Sequence, residues 1–202
     1  MEIRGKTVFV NVDTDYLKYL NKVDPEVQYD GKDYENKPFL GILISTNSTE
    51  YVIPLTSAKI KHINWKDSCS DGRFLVTEII KKSEISPDTI YKDIDSDDHV
   101  KRIYAALDVK KMIPVDSSIY QVVDLSFDED MDDAIKNYKI LQNKEYRACV
   151  KIAERVIKKA SAVYEKQRHT GKTQKFACSF AKLEKALLEY LLRNESSTSS
   201  HR

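Results

Sequence analysis

From Met131 to Lys166 the chain runs without a single glycine or proline, and a stretch of that length free of both breakers admits little but helix. Apolar residues recur in it at Cys149, Ile152, Ala153, Val156, Ile157, Ala160, Val163 and Tyr164, the spacing of one helical face. The pattern predicts two helices, or one long interrupted helix. A final helix is expected over "FAKLEKALLEYLLR", with Phe180, Leu183, Leu187, Tyr190 and Leu191 inward, and "NESSTSSHR" behind it reads as a disordered tail over residues 194–202. Opposite the apolar face, Lys144, Arg147, Lys151, Arg155 and Lys158 advance by three or four residues and form one basic stripe, interrupted only by Glu145 and Glu154. A charged outer face is ordinary on an amphipathic helix, but a face chosen for solubility usually mixes signs.

The part of the chain before this helical third reads as strands. "TVFVNV" is a strand, "DTDYLKYLNKVD" a short helix capped by Asp13 or Thr14, and "PEVQYDGKDYENK" a loop with a turn at Asp30-Gly31. "PFLGILIS" and "TEYVIPL" outline an antiparallel hairpin across "TNS", while "FLVTEII", "KKMIPV" and "YQVVDLSF" supply further strands. Pro54, lacking an N–H, is expected to end regular pairing in its strand. The polar group that follows it, Thr56, Ser57, Lys59, Lys61 and His62, then sits at a strand end. Hydroxyl donors, two fixed positive charges and an imidazole suit a phosphodiester better than a neutral substrate. The plain alternative is that Ser57 caps a turn and Thr56 satisfies a backbone group.

With 202 residues, 41% of them hydrophobic and 32% charged, the chain can bury a real core as one domain over residues 1–193. The net charge of +1 hides a segregation: between Lys144 and Lys185 stand 12 Lys/Arg against 4 Glu, so the C-terminal third is basic and the remainder acidic. The acids concentrate in "DTIYKDIDSDD" and "DLSFDEDMDD", expected as solvated loops turned away from any polyanion. No apolar run approaches the roughly 20 residues that cross a bilayer, and acids stand where a signal peptide has its apolar stretch, so a cytoplasmic protein is expected with no membrane contact. Cys69, Cys149 and Cys178 are odd in number and widely spaced, which indicates neither a disulfide framework nor a zinc site. "RHTGKT" lacks the first glycine of a P-loop, Lys166 standing in its place, and "DIDSDD" has Asp98 and Tyr104 where a calcium loop needs Gly and Glu.

Taken in order, "VFVNVDTDYLKYLNKVD", "YENKPFLGILI", "YVIPLTSAKIKH", "DVKKMIPV", "YKILQ" and "CSFAKLEKALLEY" resemble the ToxN/AbiQ family, the protein toxins of type III toxin-antitoxin and phage-abortive systems. The resemblance spans Val8 to about Tyr190, and "PLTSAK" after "FLGI" and "KMIPV" at mid-chain are its most specific pieces. It implies a single α+β domain, a strongly twisted antiparallel sheet flanked by helices, like MazF/Kid ribonucleases, with a helical C-terminal third. It also implies an endoribonuclease that needs neither metal nor other cofactor. Such an enzyme cuts cellular or phage RNA to a 2′,3′-cyclic phosphate and a 5′-hydroxyl. Its partner is an antitoxin RNA of repeated pseudoknots, which it processes and with which it forms a closed toxin–RNA assembly.

By motif match the resemblance makes Thr56 and Ser57 donors to the scissile phosphate or the 2′-hydroxyl and Lys59 the stabiliser of transition-state charge. Tyr34 and Lys37 of "YENK" would orient the strand, and Lys61, His62 and the stripe Lys144, Arg147, Lys151, Arg155 and Lys158 would bind RNA. The general base stays open between His62, with its suitable unperturbed pKa, and a lysine depressed by burial or by a neighbouring charge. Two other classes compete: a noncatalytic RNA-binding protein that uses the stripe, and a Ser-Lys hydrolase built on Ser57 and Lys59.

Overall fold

The computed structural model describes residues 8–29, 40–45, 49–67, 71–126, 128 and 130–199; the roles expected of Tyr34 and Lys37 and the turn at Asp30-Gly31 lie outside them. The fold is α+β. Strands β1 (Phe9–Val12), β2 (Leu40–Ser45), β3 (Glu50–Ser57), β4 (Arg73–Lys81), β5 (Tyr91–Asp93), β6 (His99–Asp108), β7 (Ile113–Val115) and β8 (Tyr120–Val122) make one sheet in which every pair is antiparallel. The order is β4-β6-β3-β2-β1-β8, with β5 on β6 and β7 on β3.

The β2–β3 hairpin forms as its two apolar runs predict, with Gly41 to Ser45 facing Pro54 to Glu50. Pro54 does not end pairing, contrary to expectation: β3 continues to Ser57. On its other side β3 changes partner, from β7 along Glu50–Val52 to β6 along Leu55–Ser57. Pro54 falls in the gap between them, where no N–H is demanded. Two elements were not foreseen. β6 lies where the residue pattern marks no strand, and β5 lies inside the acidic segment expected as a loop.

Helix α1 (Thr14–Val23) is capped by Asp13, whose Oδ1 accepts the Tyr16 N–H at 2.9 Å. The C-terminal third is one uninterrupted helix, α2 (Asp133–Thr170), not two and not a broken one. Burial of Gln142, Ala148, Cys149, Val156, Ala160, Val163, Tyr164 and Gln167 keeps a single seam against the fold along most of it. Gly171, at φ 64, closes it in the left-handed conformation that glycine takes without cost. Helix α3 (Phe180–Ser199) runs on through 194–199, which the sequence reading placed in a tail; Ser and Thr are weak helix formers but not breakers.

The main core gathers Phe9, Tyr16, Leu17, Leu20, Tyr51, Ile53, Leu107, Met112 and Phe180 between the sheet and the helices. Phe74 and Val76 point into it, while Leu75, alternating with them, joins Ile103 and Ala106 in a smaller cluster under Ala58, Trp65 and Ile90. Cys149 and Cys178 are free and buried, as small core residues; burial pushes the Cys178 thiol up to about 12. Glu184 of α3 ties the layers together. Its Oε1 accepts from the hydroxyls of Tyr51 in β3, at 2.6 Å, and Tyr164 in α2, at 2.7 Å, and its Oε2 accepts from Arg168 at 3.2 Å.

Candidate active site

The end of β3 is shaped by an irregularity in β6. The β4–β6 register shifts between Val76 and Thr77, which face Ala105 and Ile103, so Tyr104 is the extra, bulged residue. Its carbonyl accepts the Ala58 N–H at 3.1 Å, and its hydroxyl donates to Glu78 Oε2 at 2.6 Å. Ala58, fixed in this way, packs on the Leu75–Ile103–Ala106 cluster. Side chains alternate along an extended chain, and Lys59 is extended at φ −135, ψ 155, so Ser57 and Lys59 turn together to the side away from Ala58. Both are exposed. Thr56 is not brought together with them: it alternates with Ser57, and its Oγ1 lies 3.4 Å from Gln28 Oε1.

After Lys59 the chain enters a short 3₁₀ turn, Ile60–Asn64. His62 is 1% exposed, and its Nδ1 accepts the Lys59 N–H at 3.1 Å while its own N–H reaches the Lys59 carbonyl at 2.8 Å. Its ring stands 4.5 Å from that of Trp65, over which the Arg73 guanidinium lies at 4.6 Å. The structure therefore gives His62 a place inside the turn, holding the Lys59 backbone, rather than a surface from which to contact RNA or take a substrate proton. Lys61 remains exposed beside it. Among the described residues neither Lys59 nor Lys61 has an acidic partner, whereas Lys92 and Lys101 nearby are both held by Asp67, at 3.4 and 2.6 Å.

Burial, helped by the charges of Lys61 and Lys59, lowers the His62 pKa from the ordinary 6.5. The unfolded chain then takes the proton first as pH falls, so the stability His62 contributes is complete above about 6.5 and is lost on acidification below it. Urea midpoints measured from about pH 7.5 to 5.5 should fall more steeply for the parent than for His62→Asn, which keeps an acceptor but cannot charge. Burial raises Glu145 to about 7, and that acts with the opposite sign in the same window. It is common to both proteins and cancels in the difference. Equal slopes would show that His62 is not held neutral.

The basic stripe is real as geometry. Lys144, Arg147, Lys151, Arg155 and Lys158 are all exposed on α2, and among the described residues none has an acidic partner. Glu145, which interrupts the stripe in sequence, is only partly exposed, and burial raises its pKa despite the opposing charge of Arg102. Among the described residues no group of three or more His, Cys, Asp or Glu side chains is placed to hold a metal ion, and no helix is long and apolar enough to cross a membrane. Sequence reasoning missed Gln28 and Tyr104. Nothing in the order of residues marks Gln28, and a bulge is visible only once both strands of a pair are known.

A family model described as Toxin ToxN, type III toxin-antitoxin system, matches residues 8–188. An endoribonuclease ToxN from Bacillus thuringiensis subsp. kurstaki is 29% identical over 195 residues, covering 93% of this chain and 86% of that protein. Among solved structures, one comes from work on bacterial type III systems and selective toxin inhibition by a non-coding RNA pseudoknot. It superposes with a TM-score of 0.64 at 24% identity, covering 92% of this chain and 98% of its own. AbiQ, a lactococcal anti-phage endoribonuclease of the type III class, gives 0.63 at 21% identity with the same coverage. At these identities the likeness to the two structures is one of fold.

Proposed function

The chain belongs to the ToxN toxin family of type III toxin-antitoxin systems, and from that premise we propose that it is the system's endoribonuclease, cutting single-stranded RNA without a metal ion. The observation that carries the proposal is the pair Ser57 and Lys59, exposed on one side of a strand end whose backbone is clamped from below by the Tyr104 carbonyl and from ahead by His62. In the reaction the ribose 2′-oxygen bonds to the adjacent phosphorus as the bond from phosphorus to the 5′-oxygen breaks. The 2′-hydroxyl gives up its proton and the departing 5′-oxygen gains one, leaving a 2′,3′-cyclic phosphate and a 5′-hydroxyl. Ser57 donates to a non-bridging oxygen and the Lys59 ammonium offsets the charge that grows there. Thr56, engaged with Gln28, positions the strand end, and Lys61 draws the substrate backbone in.

The partner in this reading is an antitoxin RNA of repeated pseudoknots, which the enzyme also processes and which covers the α2 stripe in a closed toxin–RNA assembly; cellular or phage transcripts are the targets. The test is the chemistry of the ends. Cleavage in excess EDTA should proceed at the full rate and yield cyclic phosphate and 5′-hydroxyl termini, and a single 2′-deoxy substitution at the cut site should stop it. An absolute need for magnesium, or cutting that survives the 2′-deoxy substitution, would remove this mechanism.

A further inference from the structure

The loop between α2 and α3 carries a side chain that core packing does not explain. Phe176 is 61% exposed and sits at φ 59, in a turn closed by the Ala177 N–H on the Gln174 carbonyl at 3.1 Å. That third turn position favours glycine or asparagine, and a bulky residue there is an outlier. An aromatic ring is thus kept in water on a strained backbone, a combination that persists where the surrounding structure fixes it and that points to a use. The exposed part of the loop is basic, and the acids near it, Asp24, Glu26 and Asp108, lie at its base around Cys178. From Lys166 to Leu183 the sequence contains no acid, the Lys175 ammonium lies 4.8 Å over the Phe176 ring, and among the described residues Lys166, Lys172 and Lys175 have no acidic partner.

The loop is docked on two segments, at Asp24 and Lys110, of which the first leads on to the strand end. The Cys178 N–H donates to the Lys110 carbonyl at 2.9 Å and the Ser179 N–H to Asp24 Oδ2 at 2.7 Å, while Gln167 holds the Cys178 carbonyl and the Phe180 N–H at 3.0 and 2.6 Å. Lys111 returns to Glu26, and two residues further on Gln28 meets Thr56. Gln28 lies four residues beyond Asp24, at most ~14 Å away, so a single strand of several nucleotides is long enough to reach from the loop to the strand end that carries Ser57.

Resting on the ribonuclease reading, we propose that this loop is a second subsite for single-stranded RNA: Phe176 stacks a base several nucleotides from the cut, and Lys172 and Lys175 hold the phosphates beside it. Aromatic rings interleaved with lysines are the general means of holding a single strand without reading its sequence. Whether the strand is a target or an unpaired stretch of antitoxin is decided by the arms of the test.

The experiment uses the full chain carrying Ser57→Ala, so that RNA survives, with mixed-sequence single strands of about 4 and about 16 nucleotides, which bracket the site sizes of such modules. The parent should bind the longer strand more tightly. Phe176→Ala should weaken that strand about tenfold and leave the shorter one unchanged, Phe176→Trp should retain affinity, and Lys172→Gln with Lys175→Gln should flatten the salt dependence by ~1.4 in log–log slope. Phe176→Gly should lose the same affinity while holding or raising the melting temperature, because it relieves the backbone; a purely structural role would not separate the two. With Ser57 restored, slower cutting of long transcripts by Phe176→Ala assigns the strand to targets, and unchanged cutting with easier release of a repeated-pseudoknot RNA assigns it to antitoxin.

Equal affinity of the parent for both strands, or full long-strand affinity in Phe176→Ala and in the double-lysine variant, would overturn the subsite. So would a concentration-dependent dimer that Phe176→Ala abolishes while RNA binding is intact. Failure of the Ser57-containing protein to cut any RNA would instead sink the ribonuclease reading itself.

Discussion

Ser57→Ala and Lys59→Ala should each lower the rate of RNA cleavage by ~10²-fold or more and abolish growth arrest in a bacterial host, since donors aimed at developing transition-state charge are worth that much singly. The loss should fall on kcat, because an interaction that strengthens only as charge builds does not hold the ground state. Neither change should unfold the protein. Both side chains are exposed, the Lys59 contact with His62 is made by its backbone, and the β3–β6 pairing at Ser57 is main-chain bonding that alanine keeps. Single-turnover cleavage alongside thermal melts of the two variants is the measurement. Full toxicity in both would remove the site. A double variant no worse than either single one would show that hydroxyl and ammonium act as one unit.

Neutralising Lys144, Arg147, Lys151, Arg155 and Lys158 together with glutamine should weaken binding of the antitoxin RNA and remove most of its salt sensitivity. If each contacts a phosphate, the five account for ~3.5 in the log–log slope on a single strand, and so for about 10² in affinity between low and moderate salt. The stripe spans ~21 Å of helix, long enough to follow a folded RNA past several phosphates. Helix α2 should keep its place, because its buried seam is untouched and exposed substitutions usually change stability by no more than ~0.5 kcal/mol each. The variant should still cut a short substrate through Ser57 and should escape its antitoxin at lower expression than the parent. Affinity and slope both unchanged would reduce the stripe to a solvated face.

What the sequence made legible follows from which forces are local. Helix period, caps and the hairpin are written in neighbouring residues, so α1, the β2–β3 hairpin and the helical character of the C-terminal third could be read directly. The continuity of α2 could not, because whether a long helix breaks depends on what its seam meets. β6 escaped because its Ala105-Ala106-Leu107 run does not look like a strand until β3, β4 and β5 enclose it. At the candidate site the residue types and their position at a strand end were legible, but the division of labour among them was not. The unperturbed pKa of a histidine suits a base, yet burial and two backbone hydrogen bonds assign His62 to the turn. Thr56 and Ser57, adjacent in sequence, are separated by the alternation of the strand they share.

The bond from Tyr51 to Glu184 joins residues 133 apart, and that distance has a meaning in time. During synthesis the strand bearing Ser57 precedes its flanking partner β6, and both precede the α3 carboxylate that anchors Tyr51. Until α3 is made, β3 can pair with β2 and β6 but lacks the carboxylate that holds the Tyr51 hydroxyl. A chain that stops short of α3 should therefore hold the strand bearing Ser57 less firmly, since the Tyr51 and Tyr164 hydroxyls lose their shared acceptor.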